Sequence, residues 1–463
     1  MRVTVVGLGY VGLVTAACLS EWRHRVTGIE ADRRRLDDLR AGTLPIHEPG
    51  LDELVARNHQ AGMLRFEDLD AMPLAVNRAE VVILAVGTHD GNGGWQTETM
   101  RRALADVVPN LRAGTPLVVR STLPPEFINQ LTDLVAELRG LPKPDVPVLL
   151  NPEFTQEGRA IVDFIRPSRI ICGVAHDPEG LGEARLRRIF ASAAATTPFL
   201  TMPAIDASFS KLGSNLFLAT KISFANELAA LCDAYGARID QVVHAMGLDS
   251  RIGSAFLGAG VGFGGSCLPN QVTMTVKTAR VAGLLTPLLA AVDDINAAQP
   301  GHFVNRLDQV FSGRFAGRRV AILGLTFKPN TDDLREAPSL ATSRLLLERG
   351  VHVVAYDPMP RAREGAVDMV SGLEVVESVE AALVDADAAM LVTEWAEFAA
   401  IDWRRMHSLM RHPVVLDGRN ALPADEMVAL GFTYSAFGRG LMAPEPNPIG
   451  RRVPTASAAS EVA

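Results

Sequence analysis

Short apolar segments rich in β-branched residues alternate with helical patterns along the first 200 residues of the chain. Residues 2–6 (RVTVV) and 24–30 (HRVTGIE) predict two strands with a helix between them, and residues 80–88, 116–122 and 146–150 predict three more. Strands that alternate with helices are typical of a parallel sheet covered by helices on both faces. We therefore expect an α/β domain of the Rossmann type over residues 1–200.

The pattern becomes helical near residue 200. Residues 204–235 predict one long helix, with Asp206 as its N-cap and Gly236 at its C-terminal end. Further helices are expected to about residue 298, interrupted by a glycine-rich loop, so that residues 201–300 form a helical central domain that could carry a dimer interface. The apolar stripe predicted for the long helix consists of Ile205, Phe209, Leu212 and Leu216.

A second set of strand-like runs begins near Arg318, at residues 318–327, 351–358, 387–393 and 413–420. It repeats the strand–helix order without a GxGxxG turn, which predicts a Rossmann-like domain over residues 315–440 that binds no dinucleotide of its own. Residues 441–463 are small and polar and predict a disordered tail. The expected fold is therefore α/β, with two Rossmann-like domains joined by a long central helix and a helical middle domain.

Composition narrows the function classes. The chain has 463 residues, 48% of them hydrophobic, with a formal net charge of -8, which favours neither nucleic acid nor an anionic membrane surface as a partner. It starts directly with a strand-like segment, so we expect no signal peptide, and no apolar run is long enough to span a bilayer. Four widely spaced cysteines predict neither a disulfide framework nor a metal site and suit a reducing, cytoplasmic setting.

The first strand is followed by Gly7-Leu8-Gly9-Tyr10-Val11-Gly12, which matches GxGxxG, and the second strand ends in Glu30. In this motif the first glycine makes the tight turn, the second admits a pyrophosphate, and the third lets helix and strand pack. An acid at the end of the second strand binds ribose hydroxyls and repels a 2′-phosphate. We therefore expect NAD rather than NADP.

Other polar residues follow predicted strands of the same sheet: Thr88, Thr122 and Glu153. Ligands of open α/β sheets bind beyond the carboxyl ends of the strands, so these residues and Gly7 should share one edge.

The glycine-rich loop, residues 251–271 (RIGSAFLGAGVGFGGSCLPNQ), carries the candidate nucleophile Cys267. Glycines let backbone amides approach an anionic or polyhydroxylated ligand closely, here beside a sulfur atom. The structural alternative is a flexible loop with a buried, inert cysteine. Lys211 and Asn215, four residues apart on one face of the long helix, could contact the same ligand or could be a solvated pair.

Several separated motifs resemble the UDP-glucose/GDP-mannose dehydrogenase family over about residues 1–440. They are GLGYVG, LPIHEPGL, RSTLP, NPEFTQEGRA, KLGSNLFLATKISFANELAALC, RIGSAFLGAGVGFGGSC and GLTFKPNTDDLREAPS. The amino-acid sequence of the long helix resembles the UDP-glucose branch of the family more than the GDP-mannose or N-acetylhexosamine branches.

The resemblance implies NAD-dependent oxidation of the sugar C6 alcohol of UDP-glucose to a carboxylate, through a thiohemiacetal and a thioester on Cys267. It assigns Lys211 and Asn215 to oxyanion stabilisation, Glu157 to general base catalysis and Thr122 to holding water. It also implies a homodimer in which Arg251 is donated to the partner's site.

The remaining site residues follow from the same resemblance. Expected NAD contacts are Gly7, Gly9, Tyr10, Val11, Gly12, Glu30, Arg35, Thr88, Thr122, Glu157 and Arg335. Expected substrate contacts are Glu153, Phe154, Glu157, Lys211, Asn215, Arg251, Phe256, Leu257, Gly258, Gly260, Gly264, Lys328 and Arg419.

The chain departs from the family after the cysteine. The family usually has GGSCFPKD, whereas Asn270 and Gln271 replace the lysine and the aspartate here. A glutamine cannot accept a proton at neutral pH. The pair therefore leaves open a catalytically weak paralogue that binds sugar nucleotides. The same chemistry on another nucleotide sugar is a separate alternative, against which the sequence of the long helix argues.

Overall fold

The computed structural model describes residues 1–89 and 94–444 of the chain. Within them, the N-terminal sheet contains β1 (Arg2–Val6), β2 (Arg25–Ile29), β3 (Leu64–Glu67), β4 (Val81–Leu84), β5 (Leu117–Val119), β6 (Val148–Leu150), β7 (Ile170–His176) and β8 (Phe199–Pro203). Their order is β3-β2-β1-β4-β5-β6-β7-β8, with β6 and β7 antiparallel and the other neighbours parallel. This is the expected Rossmann-type sheet with three strands, β3, β7 and β8, that the sequence analysis did not predict.

Helices cover both faces of this sheet. Val3 and Val5 of β1 belong to the hydrophobic core on one face of the sheet, and Val6 belongs to the core on the other face. Because both faces of the sheet are buried, its strands are apolar throughout and do not alternate with polar residues. The helices are α1 (Tyr10–Glu21), α2 (Arg33–Arg40), α3 (Leu51–Gln60), α4 (Met72–Arg78), α5 (Glu98–Val107), α6 (Pro125–Arg139), α7 (Ala160–Ile165), α8 (Leu181–Ile189) and α9 (Ala191–Ala194), with a 3-10 turn at Val108–Asn110.

Most predicted strands are longer than the observed ones, and for two of them the difference bears on the site. The sheet hydrogen bonding ends at Leu84 in β4 and at Val119 in β5, although the predictions ran to residues 88 and 122. The residues beyond these ends leave the sheet as loops at its carboxyl edge. That is where Thr88 and Thr122 lie.

The long helix α10 (Ala204–Tyr235) has the predicted bounds, and Gly236 ends it in the left-handed conformation with φ 72°. Two details were wrong. The N-cap is Pro203 rather than Asp206, which lies within the first helical turn. Phe209 of the predicted buried stripe is 54% exposed, because the face that packs inward carries Ala207, Ser208 and Lys211 instead.

Three more helices complete the central part: α11 (Ile239–Gly247), α12 (Leu268–Val281) and α13 (Pro287–Phe311). The last one passes through Pro300 and continues beyond the expected end near residue 298. Its later turns are held by packing, since Phe303, Val304 and Leu307 are buried in the core of the C-terminal sheet.

The C-terminal part repeats the architecture of the N-terminal one. Its strands are β9 (Arg319–Leu323), β10 (His352–Tyr356), β11 (Glu374–Val375), β12 (Ala388–Leu391), β13 (Val414–Asp417), β14 (Thr433–Ala436) and β15 (Gly440–Met442), in the order β11-β10-β9-β12-β13-β14-β15. Only β14 and β15 pair antiparallel among these described strands. The helices are α14 (Pro338–Glu348), α15 (Pro360–Met369), α16 (Val379–Leu383), α17 (Ala396–Ala400), α18 (Trp403–Leu409) and α19 (Ala424–Ala429).

Three further findings concern the predicted tail, the length of the helices and the cysteines. Leu441 and Met442, which we expected in the tail, lie in β15, and the rest of the predicted tail from residue 445 on lies outside the described residues. Of the helices in the described residues, none is both long and apolar enough to cross a membrane. Cys18, Cys172, Cys232 and Cys267 are all free thiols.

Candidate active site

The three glycines of the turn after β1 meet different steric demands. Gly7 has φ 88°, and a Cβ on Gly12 would lie 1.8 Å from the carbonyl oxygen of Gly7. Neither position tolerates a side chain without rearrangement. A Cβ on Gly9, the N-cap of α1, would meet nothing within 4 Å. The backbone there is open to a ligand at the positive end of the helix.

Glu30 lies directly beside this turn. Its carboxylate accepts hydrogen bonds from the backbone N–H groups of Leu8, Ala31 and Asp32 at 3.1, 2.9 and 3.0 Å. Arg35 approaches it at 3.6 Å. The acid is thus fixed where the ribose of a dinucleotide on the glycine turn would lie.

A cavity of about 440 Å³ opens next to the turn, and we call it the glycine-turn cavity. Of the expected cofactor contacts, it is lined by Gly9, Tyr10, Arg35, Glu157 and Arg335. Thr88 and Thr122 lie together at the sheet edge, because the Thr88 hydroxyl donates to the Thr122 carbonyl at 2.7 Å. Gly7, Val11, Gly12, Glu30, Thr88 and Thr122 do not line this cavity.

A second cavity of about 450 Å³ surrounds Cys267, and we call it the cysteine cavity. It is lined by many of the expected catalytic and substrate residues: Phe154, Glu157, Lys211, Asn215, Phe256, Gly264, Cys267, Lys328 and Arg419. They come from three parts of the chain, so the cavity exists only because both α/β domains close around the central helices.

Cys267 is the N-cap residue of α12, at the positive end of the helix dipole. Its side chain is open to the cavity and is therefore not the buried, inert cysteine of the structural alternative. Desolvation by the surrounding protein raises the thiol pKa, Lys211 lowers it, and the charges of Glu153 and Glu157 raise it further. Ligands that displace or neutralise these carboxylate charges would favour the thiolate.

Lys211 and Asn215 are buried beside the cysteine rather than solvated. The Lys211 ammonium donates to Glu153 at 3.1 Å, and the Asn215 amide donates to the Gln271 side-chain oxygen at 3.0 Å. Burial would raise the Glu153 pKa, but Lys211 and the Thr155 hydrogen bonds outweigh it and lower that pKa. Both side chains of α10 thus have fixed positions before a ligand arrives.

Glu157 lies between the two cavities and lines both. Burial, and then the charge of Asp333, raise its pKa to about 8, although Arg335 and Lys328 act in the opposite direction. The Arg335 guanidinium donates to Glu157 at 3.2 Å and to Asp333 at 2.6 Å. A carboxyl group that titrates near neutral pH suits a proton acceptor.

The structure adds Glu48, a positioning residue that our sequence analysis missed. Its buried carboxylate accepts the backbone N–H groups of Gly158 and Ala160, both at 2.7 Å, and the Tyr10 hydroxyl. It thereby ties the segment that carries Glu157 to the glycine turn. The only sequence signal was its place in the HEPG motif, because its three donors are distant in the chain.

The glycine-rich loop is clamped between α10, α13 and the C-terminal domain. Asn226 accepts the Gly260 N–H at 2.7 Å, and the Asn296 amide pairs with both backbone groups of Phe263 at 2.8 and 3.0 Å. Arg419 donates to the Gly262 carbonyl at 2.7 Å. These contacts come from three elements and fix the loop in front of Cys267.

Several predicted substrate residues do not line the cysteine cavity. Leu257 is buried, Gly260 packs against the Gly418 carbonyl, and a Cβ on Gly258 would meet nothing within 4 Å. Glu153 lies behind Lys211, and Arg251 is on the surface, paired with Asp249 at 2.6 Å. Thr122, expected to hold water, lies at the predicted edge of the sheet and does not line the cysteine cavity.

The C-terminal domain has a different carboxylate at the position equivalent to Glu30. Asp357 follows β10 and accepts the backbone N–H groups of Leu325 and Thr326 at 2.7 and 3.1 Å. It also accepts the Trp395 indole N–H at 3.2 Å and is fully buried. Groups of the domain itself therefore occupy the hydrogen-bonding positions of this acid.

Among the described residues no group of three His, Cys, Asp or Glu could hold a metal ion.

Comparison with known families gives a match over three successive segments. Residues 1–194 match the NAD binding domain of the UDP-glucose/GDP-mannose dehydrogenase family, residues 206–298 its central domain, and residues 321–424 its UDP binding domain. The chain belongs to the UDP-glucose/GDP-mannose dehydrogenase family. Its NAD-binding domain contains the glycine turn and Glu30, whose geometry fits a dinucleotide without a 2′-phosphate.

Relatives within the family cover nearly the whole chain. A UDP-glucose 6-dehydrogenase of Pseudomonas aeruginosa is 41% identical over 95% of this chain and 98% of its own. One from Rhizobium meliloti is 37% identical over 95% and 100%. Among solved structures, a UDP-glucose dehydrogenase from Pyrobaculum islandicum superposes with a TM-score of 0.84 at 35% identity, covering 94% of this chain and 97% of that one.

We predict that Glu48→Gln lowers kcat by about 10²-fold, because an amide cannot accept all three donors and the Glu157 segment shifts. KM for the sugar nucleotide should change far less, since Glu48 does not line the cysteine cavity. Steady-state kinetics would measure both constants. The matched control is Glu53→Gln on α3, an exposed carboxylate that should leave both unchanged. Equal loss in both variants would contradict the positioning role.

Proposed function

We propose that the protein oxidises UDP-glucose to UDP-glucuronate in the cysteine cavity, with NAD bound at the glycine turn. The observation that carries the proposal is the position of Glu157, which lines the cavity of the nucleophile as well as that of the turn. The relatives of known name support UDP-glucose as the substrate. The four free cysteines suit a cytoplasmic enzyme.

Cys267 acts once the C6 alcohol of the sugar has become an aldehyde. Its sulfur bonds to the aldehyde carbon while the thiol proton passes to the oxygen, which gives a thiohemiacetal and retains the reactive aldehyde. Bound NAD would supply the hydride acceptor, one NAD⁺ for each of the two oxidation steps at C6, and each step also releases the proton of the C6 hydroxyl group to solvent. The Lys211 ammonium and the Asn215 amide stabilise negative charge on the C6 oxygen.

Hydrolysis completes the reaction. The second oxidation converts the thiohemiacetal to a thioester, whose carbonyl carbon is attacked by water while Glu157 takes a proton from it. The carbon–sulfur bond then breaks, the sugar leaves as a carboxylate, and Cys267 is regenerated. Lys328 and Arg419 line the cavity as cations and suit the diphosphate of the substrate.

Gln271 is the main departure from the family's usual sequence. It is 2% exposed and fixes the Asn215 amide, but it supplies no carboxylate beside the nucleophile. A catalytically weak paralogue is therefore the second candidate. If it is correct, Asn270→Lys combined with Gln271→Asp should raise kcat sharply, and an unchanged kcat would remove the only observation in its favour.

The wild-type protein should produce two NADH per UDP-glucose consumed, measured by absorbance against product chromatography. Cys267→Ser should lower kcat on the order of 10³-fold or more, because a hydroxyl replaces the sulfur nucleophile. Cys232→Ser, which changes a thiol of α10 outside the cavity, is the matched control. Full turnover by Cys267→Ser would exclude the covalent route, and a higher kcat/KM with GDP-mannose or UDP-N-acetylmannosamine would favour another substrate.

The rate should also depend on pH through Glu157. Since this carboxyl group must be ionised to accept a proton and its pKa is raised to about 8, kcat should rise from pH 6 and level off above about pH 8. Asp333→Asn should move that rise to lower pH, because it removes a neighbouring negative charge. Glu157→Gln should abolish the rise, whereas the exposed Glu179→Gln should not. A flat wild-type profile would argue against Glu157 as the base.

We further propose a homodimer formed along α10. Phe217, Phe224 and Leu231 recur every seven residues on this helix and are 65%, 49% and 56% exposed. Such a stripe on a helix is typical of a seam with another helix, and a second copy of this chain would cover it. Arg251, which has no role in the cavity of its own chain, could then reach the partner's substrate.

The double variant Phe217→Glu/Phe224→Glu should be monomeric in sedimentation velocity experiments, because two carboxylates would be buried in the seam. Glu53→Gln, an exposed carboxylate on α3 away from this stripe, is the control and should sediment as the wild type does. A wild-type protein that sediments as a monomer, or a double variant that still dimerises, would contradict the interface.

A further inference from the structure

A third cavity, of about 310 Å³, lies behind Phe154 and is lined by arginines. We call it the arginine cavity. Its charged lining residues are Arg120, Arg159, Arg166, Arg169, Glu153 and Asp163. Of the expected substrate contacts only Glu153 and Phe154 line it, no expected NAD contact does, and the proposed steps use no other residue of this cavity.

The two carboxylates of the arginine cavity already have partners. Asp163 accepts from Arg159 at 2.8 Å and from the Gln156 N–H at 3.0 Å. Glu153 accepts from Lys211 at 3.1 Å and from Thr155. Three guanidinium groups, those of Arg120, Arg166 and Arg169, therefore make no ion pair within 4.0 Å in the described part of the chain, although the charge of Glu153 acts on Arg120 from farther away.

Arg120 has the least favourable environment of the three. It is 6% exposed and lies between the rings of Phe164 and Phe190, with its carbon Cζ 5.2 and 5.9 Å from their centroids. One amino group donates to Asn151, while its Nε has no hydrogen-bond partner within residues 1–89 and 94–444. Burial lowers its pKa to about 10, although the charge of Glu153 acts in the opposite direction. A buried cation with an unused donor is costly unless an anion completes its surroundings.

Arg169 connects this cavity to the cysteine cavity, because it lines both. Its guanidinium stacks on the ring of Phe154 at 3.6 Å and donates to the Ser214 hydroxyl of α10 at 3.0 Å. An anion held by Arg169 would therefore lie directly behind the aromatic wall of the cysteine cavity.

We propose that the arginine cavity binds a small oxyanion of the phosphate class, at a site separate from the two cavities of the reaction. Three unpaired guanidiniums supply forked donors that match the oxygens of a tetrahedral anion. The anion is either free inorganic phosphate or the phosphate group of a mononucleotide. Through Arg169 and Phe154, its binding would alter the affinity of the cysteine cavity for the sugar nucleotide.

Isothermal titration of inorganic phosphate into the full-length protein, at constant ionic strength, tests the proposal. We expect one site per chain and about tenfold weaker binding for Arg166→Gln, which removes one charged donor from the cavity's exposed rim. The control is Arg102→Gln, an exposed arginine on α5, which should bind as the wild type does. Equal affinity in all three proteins, the result for an adventitious ion only, would overturn the proposal.

Two further arms fix the location and the source of the anion. Phosphate should still bind when UDP and NAD are saturating, and its displacement by UDP would overturn a separate site. Arg120→Lys keeps the charge but removes the fork, so it should weaken phosphate binding while its melting temperature reports whether it folds. If AMP displaces phosphate, the site binds a nucleotide phosphate. If AMP does not displace it, the site binds free phosphate, and both outcomes support the proposal.

Discussion

The close contact between the glycine-rich loop and the C-terminal domain determines where the nucleophile lies. A Cβ on Gly260 would be 2.3 Å from the Gly418 carbonyl oxygen, and one on Gly264 would be 2.3 Å from that of Glu336. Because these positions lack side chains, the loop can press against two segments of the domain at once. Cys267 follows this loop and begins α12, so the sulfur is fixed relative to both halves of the chain. Lys211 and Asn215 of α10 line the same cysteine cavity.

Much of this arrangement could be predicted from local sequence. The glycine turn and the position of Glu30 beside it follow from one short motif. The bounds of α10 follow from one uninterrupted helical pattern. The errors arose where tertiary packing overrides local preference. Pro300 did not end α13, because buried residues on either side of it hold the helix in the core. Phe209 was assigned to the inner face that instead carries a buried lysine.

Other features of the site could not be inferred from the sequence, for physical reasons. Glu48 acts through donors at positions 10, 158 and 160, and nothing local to its motif indicates them. The unpaired arginines of the third cavity depend on which carboxylates fold next to which cations. The surface position of Arg251 reflects a single chain, whereas its expected role requires a second one. The replacement of an aspartate by Gln271 was visible at once, but its hydrogen bond to Asn215 was not.

The two similar sheets also differ in how they use one equivalent acid. Glu30 accepts only backbone donors at short range, with Arg35 farther away at 3.6 Å, while Asp357 is also bonded to an indole and is sealed from solvent. The tryptophan therefore takes a hydrogen-bonding position on Asp357 that a ribose hydroxyl would otherwise need. Two halves of similar shape therefore differ in what they can bind, because Glu30 of the first can still accept ribose hydroxyls whereas Asp357 of the second cannot.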